Sequence, residues 1–221
     1  LWSRGLGDVY KRQTSDSIIS ARVYNFVMAA VLLYGFAINW WMVANIPVAS
    51  IMQVNQWVFI IGYLVSCFFG CYLFSSSTSP IISFIGYNFV VVPFGMVINV
   101  VLAKYSAASI ESAIQTTTIV TFGMIVMGTL FPNFFKNIVG GLLIGTIVAI
   151  VCELGLIMFT GKSSHMIDWI VAILFCGWIG YDWARASELP KTVDNAIDSA
   201  ANLYMSIINL FLRLLSANSD D

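Results

Sequence analysis

The residues able to do chemistry gather near the carboxyl end of the chain. Asp198, Asn202, Ser206, Asn209 and Arg213 fall at successive steps of four or three, so on a 3.6-residue helix they form one polar stripe along an otherwise apolar rod, Ala196 to Leu215. Asp182, in Gly180-Tyr181-Asp182-Trp183, precedes this rod by one short connection broken at Pro190. Each unsatisfied polar group in hydrocarbon costs several kcal/mol, so the stripe is expected to face other helices or a water-filled cavity, and the last helix to be a central one. Carboxylate, amide and hydroxyl oxygens side by side suit transient contact with a hard cation at Asp182 and Asp198; the alternative is that these polar groups only fix helix register and pair internally. Glu153 is a further candidate. It stacks at steps of four on Gly141, Gly145 and Ala149, a small-residue face that would deliver an acid between helices. The alternative for Glu153 is a protonated acid bonded to a neighbouring amide or hydroxyl.

The elements that must position these groups are membrane spans. A mean hydropathy of +0.88, with 59% hydrophobic and 10% charged residues in 221, is too apolar for a soluble globular domain. The length accommodates about seven spans of roughly 20 residues and no separate soluble domain. Expected spans are Val23 to Val43, Trp57 to Phe74, Ile81 to Leu102, Ser112 to Phe131, Ile138 to Phe159, Met166 to Trp183 and Ala196 to Leu215. Trp40-Trp41 would close the first at the bilayer interface. Gly62, Ser66 and Gly70 make a small-residue seam in the second, for close approach of another helix. Pro93 removes a backbone donor from the third, which predicts a kink near Phe89 to Pro93 with Asn88 and Asn99 turned to the bundle. Thr116, Thr117, Thr118 and Thr121 can bond their own helix and need no ligand. Lys104 to Glu111 reads as a polar loop, Pro132-Asn133 as a helix stop, and Asp194 as a cap for the last helix.

Several functions are disfavoured. Cys67, Cys71, Cys152 and Cys176 lie in apolar runs, and Cys67 and Cys71 lack the further ligands a structural metal site needs, His165 being the only histidine. No metal or other cofactor is expected, and without a Ser-His-Asp or metal constellation no enzyme is expected either. Ser3 to Gln13 back-translates without a gap into a stretch resembling a sequencing-library transposase adapter read in frame, so residues 1–13 are set apart as an artefact and residues 14–221 read as one seven-span membrane domain. Without Arg4, Lys11, Arg12 and Asp8, three cations and one anion, the formal net charge goes from −1 to −3, leaving no basic patch for nucleic acid. Arg22, Lys136, Arg185 and Lys191 against Lys104, Lys162 and Arg213 slightly favour an inside amino end, which puts Asp182 and Asp198 near the cytoplasmic face.

Gly180-Tyr181-Asp182 at the end of the sixth span and Leu203 to Leu212 (LYMSIINLFL) in the seventh resemble the paired signatures of the Bax inhibitor-1 (TMBIM) family, and Thr117 to Gly145 is similar to that family's middle. The resemblance runs from Arg22 to Leu215 and points to a bacterial member in the inner (plasma) membrane. It implies an all-α integral membrane protein of seven transmembrane helices, six wrapped around a central C-terminal helix, with a cation leak, especially of Ca2+, influenced by pH. In the family the helix-six aspartate bonds an aspartate in helix seven, and their protonation decides whether the pore closes. Asp182 matches the first, but Ser206 stands at the second position and Ala184 where a glutamine often follows. Two close carboxylates share a proton; a serine cannot, so an Asp182–Ser206 pair would be an ordinary hydrogen bond. The second span also has no basic residue as counter-ion. The resemblance also carries an alternative: a membrane-embedded regulator that binds a membrane protease or stress machinery.

Overall fold

The computed structural model describes residues 17–161 and 164–218; the adapter-like residues 1–13 lie outside them. Among the described residues all regular structure is helical: α1 Ala21–Asn45, α2 Val48–Met52, α3 Gln56–Ser76, α4 Pro80–Leu102, α5 Ala107–Leu130, α6 Pro132–Thr160, α7 His165–Glu188 and α8 Val193–Ala217. All but the short α2 are long and apolar enough to cross a membrane, which gives the seven expected spans. α8 is the most buried of the seven and the one pronouncedly amphipathic helix, and none of its residues is exposed. The other spans carry only isolated polar groups and leave Phe26, Trp57, Phe68, Phe122 and Phe159 exposed, as a hydrocarbon solvent allows.

Local signals explain the boundaries. Ser20, Asn55 and Ser106 accept hydrogen bonds from first-turn amides of α1, α3 and α5. Gly161, at φ 72°, ends α6 in the left-handed conformation open to glycine. Two expected boundaries are corrected. The Lys104 to Glu111 loop is shorter, because Ser106 caps a helix that begins at Ala107. Pro132 opens α6 rather than merely stopping α5: at the first helical position its missing N–H costs nothing.

The helices pack as two compact units, and α8 contributes to each. The first comprises residues 17–103 with 189–201, where α4 packs against α1, α2 and α3. A Cβ on Gly70 would meet the Gly86 carbonyl at 2.5 Å, so the two glycines set how closely α3 and α4 approach. The seam is shorter than expected: nothing lies within 4 Å of a Cβ on Gly62. Between these glycines Ser66 Oγ donates to the Phe89 carbonyl at 2.7 Å, the group that loses its helical donor because residue 93 is proline. α4 thus runs on through Pro93, with its freed carbonyl satisfied by the neighbouring helix. Asn88 accepts from the Tyr34 hydroxyl at 2.8 Å, and buried Asn99 donates to the Ile46 carbonyl at 2.8 Å, so both asparagines turn to α1 and its end as expected. In the same unit the Asp194 carboxylate accepts from Ser83 Oγ at 2.6 Å. The cap of α8 is instead Thr192, whose hydroxyl accepts from the Asn195 amide at 3.1 Å.

The second unit comprises residues 104–188 with 202–218, where α7 packs against α5 and α6. Gly128 and Gly180 approach so closely that a Cβ on Gly128 would meet the Gly180 carbonyl at 2.7 Å, and Gly180 also makes room for the Phe135 ring. Trp183 Nε1 donates to Thr129 Oγ1 at 2.7 Å, and Trp178 Nε1 to Thr146 Oγ1 at 3.0 Å. In the expected glycine face of α6, Gly145 meets Leu174, whereas Gly141 has open space.

Candidate functional site

The contacts of Gly180 and Trp183 fix the rotation of α7 against α5 and α6, which leaves Asp182 turned to the carboxyl-terminal half of α8. There Ser206 Oγ donates to Asp182 Oδ2 at 2.6 Å, with Asp182 8% and Ser206 6% exposed. A hydrogen bond to a buried carboxyl group is worth more than a neutral one, and it orients the group without adding a second titrating acid. The expected Asp182–Ser206 pair is therefore present.

The remaining stripe divides. Asp198 is buried on the amino-terminal half of α8, in the first unit, and Asn202 is half-buried one turn on. The Asn209 side-chain amide donates to the Met205 carbonyl of its own helix at 2.8 Å. Arg213 is engaged most heavily. Nη1 donates to Glu153 Oε1 and to Asp168 Oδ1, each at 2.7 Å, and Nη2 to Glu153 Oε2 at 2.6 Å. Ser216 Oγ completes the set with 2.7 Å to Asp168 Oδ2. The alternative read for Glu153, a protonated acid bonded to an amide or hydroxyl, is corrected: its carboxylate is clasped by a guanidinium. Arg213 reaches it because the last turns of α6 and α8 and the first turn of α7 end together in the second unit.

Arg213 of the last helix is the counter-ion of Glu153 and Asp168. Asp168 and Ser216 were missed. An acid in the first turn of an apolar helix was the available signal; what it faces depends on packing. Outside the spans, Lys191 Nζ lies 4.5 Å from the centroid of the Tyr24 ring, and partial burial pushes the Lys191 ammonium below its usual range. Among the described residues no three His, Cys, Asp or Glu side chains group as metal ligands, and none of the four cysteines forms a disulfide.

A multi-pass helical membrane protein with a carboxyl–hydroxyl pair and an acid–guanidinium cluster on its last span is the class these features define. The chain belongs to the Bax inhibitor-1 family: the family described as "Inhibitor of apoptosis-promoting Bax1" matches residues 17–218. It is similar to the inner membrane protein YbhL of Escherichia coli K12, 26% identical over 231 residues that cover 91% of this chain and 94% of YbhL. An uncharacterized protein of Helicobacter pylori J99 is 32% identical over 168 residues, 72% of this chain and 70% of its own. Protein LIFEGUARD 4 of Arabidopsis thaliana is 38% identical over 113 residues, 48% of this chain and 44% of its own.

Proposed function

We propose that the protein is a Ca2+-permeable leak channel or transporter of a bacterial inner membrane, only weakly influenced by pH. The observation that carries this reading is the buried Asp182–Ser206 pair, an oxygen-rich contact at 2.6 Å on the most buried of the seven spans. Hard cations take oxygen ligands, and an ionisable group within a span is expensive enough to mark a pathway by default. Asp198, Asn202 and Asn209 continue the same face of α8 towards either side. Since Ser206 cannot share a proton with Asp182, the coupled switch of a two-acid pair is absent, and the leak should change gradually with pH. The relative named an inner membrane protein supports the location.

The test is Ca2+ uptake into liposomes holding the purified full chain, from acidic to alkaline pH, for wild type and Ser206→Asp. Wild type should leak with a shallow pH profile, and Ser206→Asp should sharpen it. A folded Ser206→Asp variant with the wild-type profile would show that this pair does not control the leak. Absence of uptake by either would favour a regulator that docks on a membrane protease.

A further inference from the structure

Within the first unit a groove runs between α3 and α4, from Val54 in the turn before α3 to Ser66 on one side and from Phe84 to Met96 on the other. We propose that this groove binds one acyl chain of a membrane phospholipid, whose head group rests beside Asn55, Gln56 and Trp57 at the start of α3.

The chemistry of the lining excludes a polar occupant. Its polar side chains are already engaged: Ser66 Oγ donates to the Phe89 carbonyl at 2.7 Å, Asn88 accepts from Tyr34 and donates to the Phe84 carbonyl, each at 2.8 Å, and Tyr63 hydrogen-bonds Cys67. What remains is hydrocarbon, from Phe59, Phe84, Val92 and Met96, so a ligand with polar groups of its own would bury them unpaired. Shape then separates a chain from a helix. From Phe84 to Met96 the lining runs about 18 Å along α4 at 1.5 Å per residue, and a volume of about 670 Å3 spread over that length leaves a mean cross-section of about 37 Å2, roughly 7 Å across. A helix with its side chains needs about 10–12 Å, so a span of a second copy is too thick, whereas an extended polymethylene chain is not. The same length covers the roughly 15 Å of hydrocarbon that one leaflet contributes.

Position supplies the source of the chain. Val58, Ile85, Phe89 and Val92 on the rim are exposed on helices that cross the membrane, so the groove opens sideways and is continuous with the lipid-facing surface. One end lies at Val54 and Val58, beside the amide side chains of Asn55 and Gln56 and the exposed Trp57, an aromatic suited to the bilayer interface. Gly62 keeps the floor open, since nothing lies within 4 Å of a Cβ built on it. A chain seated there packs on Phe89 and Pro93, where α4 has lost a backbone hydrogen bond, and fills the space that opens between α3 and α4 at Gly62. Packing is what retains it, because lipid elsewhere on the protein is equally apolar. The site stands apart from the leak reading.

The test places the full chain in phosphatidylglycerol–phosphatidylethanolamine liposomes containing a trace of phosphatidylethanolamine with a mid-chain diazirine. After illumination, mass spectrometry of the digested protein locates the attached lipid. Tyr63, Val92 and Met96 should be labelled at least about fivefold more than Phe122 and Phe159, which are exposed on α5 and α6. Gly62→Phe, whose ring occupies the groove, should bring the lining down to the level of those two. Gly62→Leu, a smaller plug, should lower it part of the way and keeps the test open if the phenylalanine variant folds poorly. As a second readout, wild type washed in mild detergent should retain about one phospholipid per chain, and folded Gly62→Phe should retain less. Labelling spread evenly over the exposed faces of all spans, the mark of annular lipid only, would overturn the proposal. So would lining labels that persist in folded Gly62→Phe and Gly62→Leu. Lining residues labelled less than Phe122 and Phe159, with cross-links between copies through α3, would give the groove to a second copy and equally overturn it.

Discussion

At the scale of single residues, two contacts on α8 engage the buried and half-buried acids Asp182, Asp168 and Glu153 of the second unit. Breaking a partly buried ion pair strands the opposite charge, so Arg213→Met should lower unfolding stability in metal-free buffer by about 2–3 kcal/mol, read by denaturation in detergent. A loss below about 0.5 kcal/mol would mean that water reaches the cluster freely. Ser206→Ala removes the donor to Asp182 Oδ2 and should cost about 1–2 kcal/mol, while Ser206→Thr, which keeps a hydroxyl, should cost less. The Asp182–Ser206 pair was legible through the family resemblance, which implies a partner for Asp182 at position 206 of the last span. The Glu153–Arg213 pair was not, since helical periodicity says which residues share a face and nothing about which of six other spans that face meets. Arg213 was visible only as the end of a stripe, and Asp168 only as an acid near a boundary.

At the scale of elements, α3 and α4 show how a backbone defect is accommodated. Pro93 costs α4 one donor, and Ser66 replaces it on the Phe89 carbonyl. Ser66→Ala should destabilise by about 0.5–1 kcal/mol, and much less in a Pro93→Ala background, where residue 93 regains its own N–H. Such a non-additive cycle in thermal unfolding is the signature of the shared carbonyl. Along the same interface, Gly70→Val should destabilise by about 2 kcal/mol or more, because its Cβ would press on the Gly86 carbonyl, whereas Gly62→Ala should stay within about 0.5 kcal/mol. The small-residue spacing that suggested a seam through Gly62, Ser66 and Gly70 gave the right interface but overstated its length, since spacing does not record where two helices diverge. The positions of the spans were readable from hydropathy alone; their ends were not, because Pro132 stops one helix and starts the next, and Ser106 and Thr192 cap where loop or acid had been expected.

At the scale of the molecule, α8 is shared by both units: its amino-terminal half carries Asp194 and Asp198, and its carboxyl-terminal half Ser206 and Arg213. A single amphipathic helix among apolar ones gathers polar groups on the most buried of the seven spans, as the cost of exposing them to hydrocarbon demands. Membership of the Bax inhibitor-1 family agrees with the seven-span frame, and Ser206 stands where the resemblance had implied a second acid. The most direct measurement is Ca2+ uptake at a single neutral pH into liposomes holding wild type or Asp182→Asn. The Asn keeps the shape and its bond to Ser206 while removing the charge. The account predicts uptake above empty liposomes for wild type and a change of about threefold or more for Asp182→Asn, in either direction according to whether the carboxylate attracts the ion or holds the path shut. Equal uptake by the two folded proteins, or none by wild type, would contradict it.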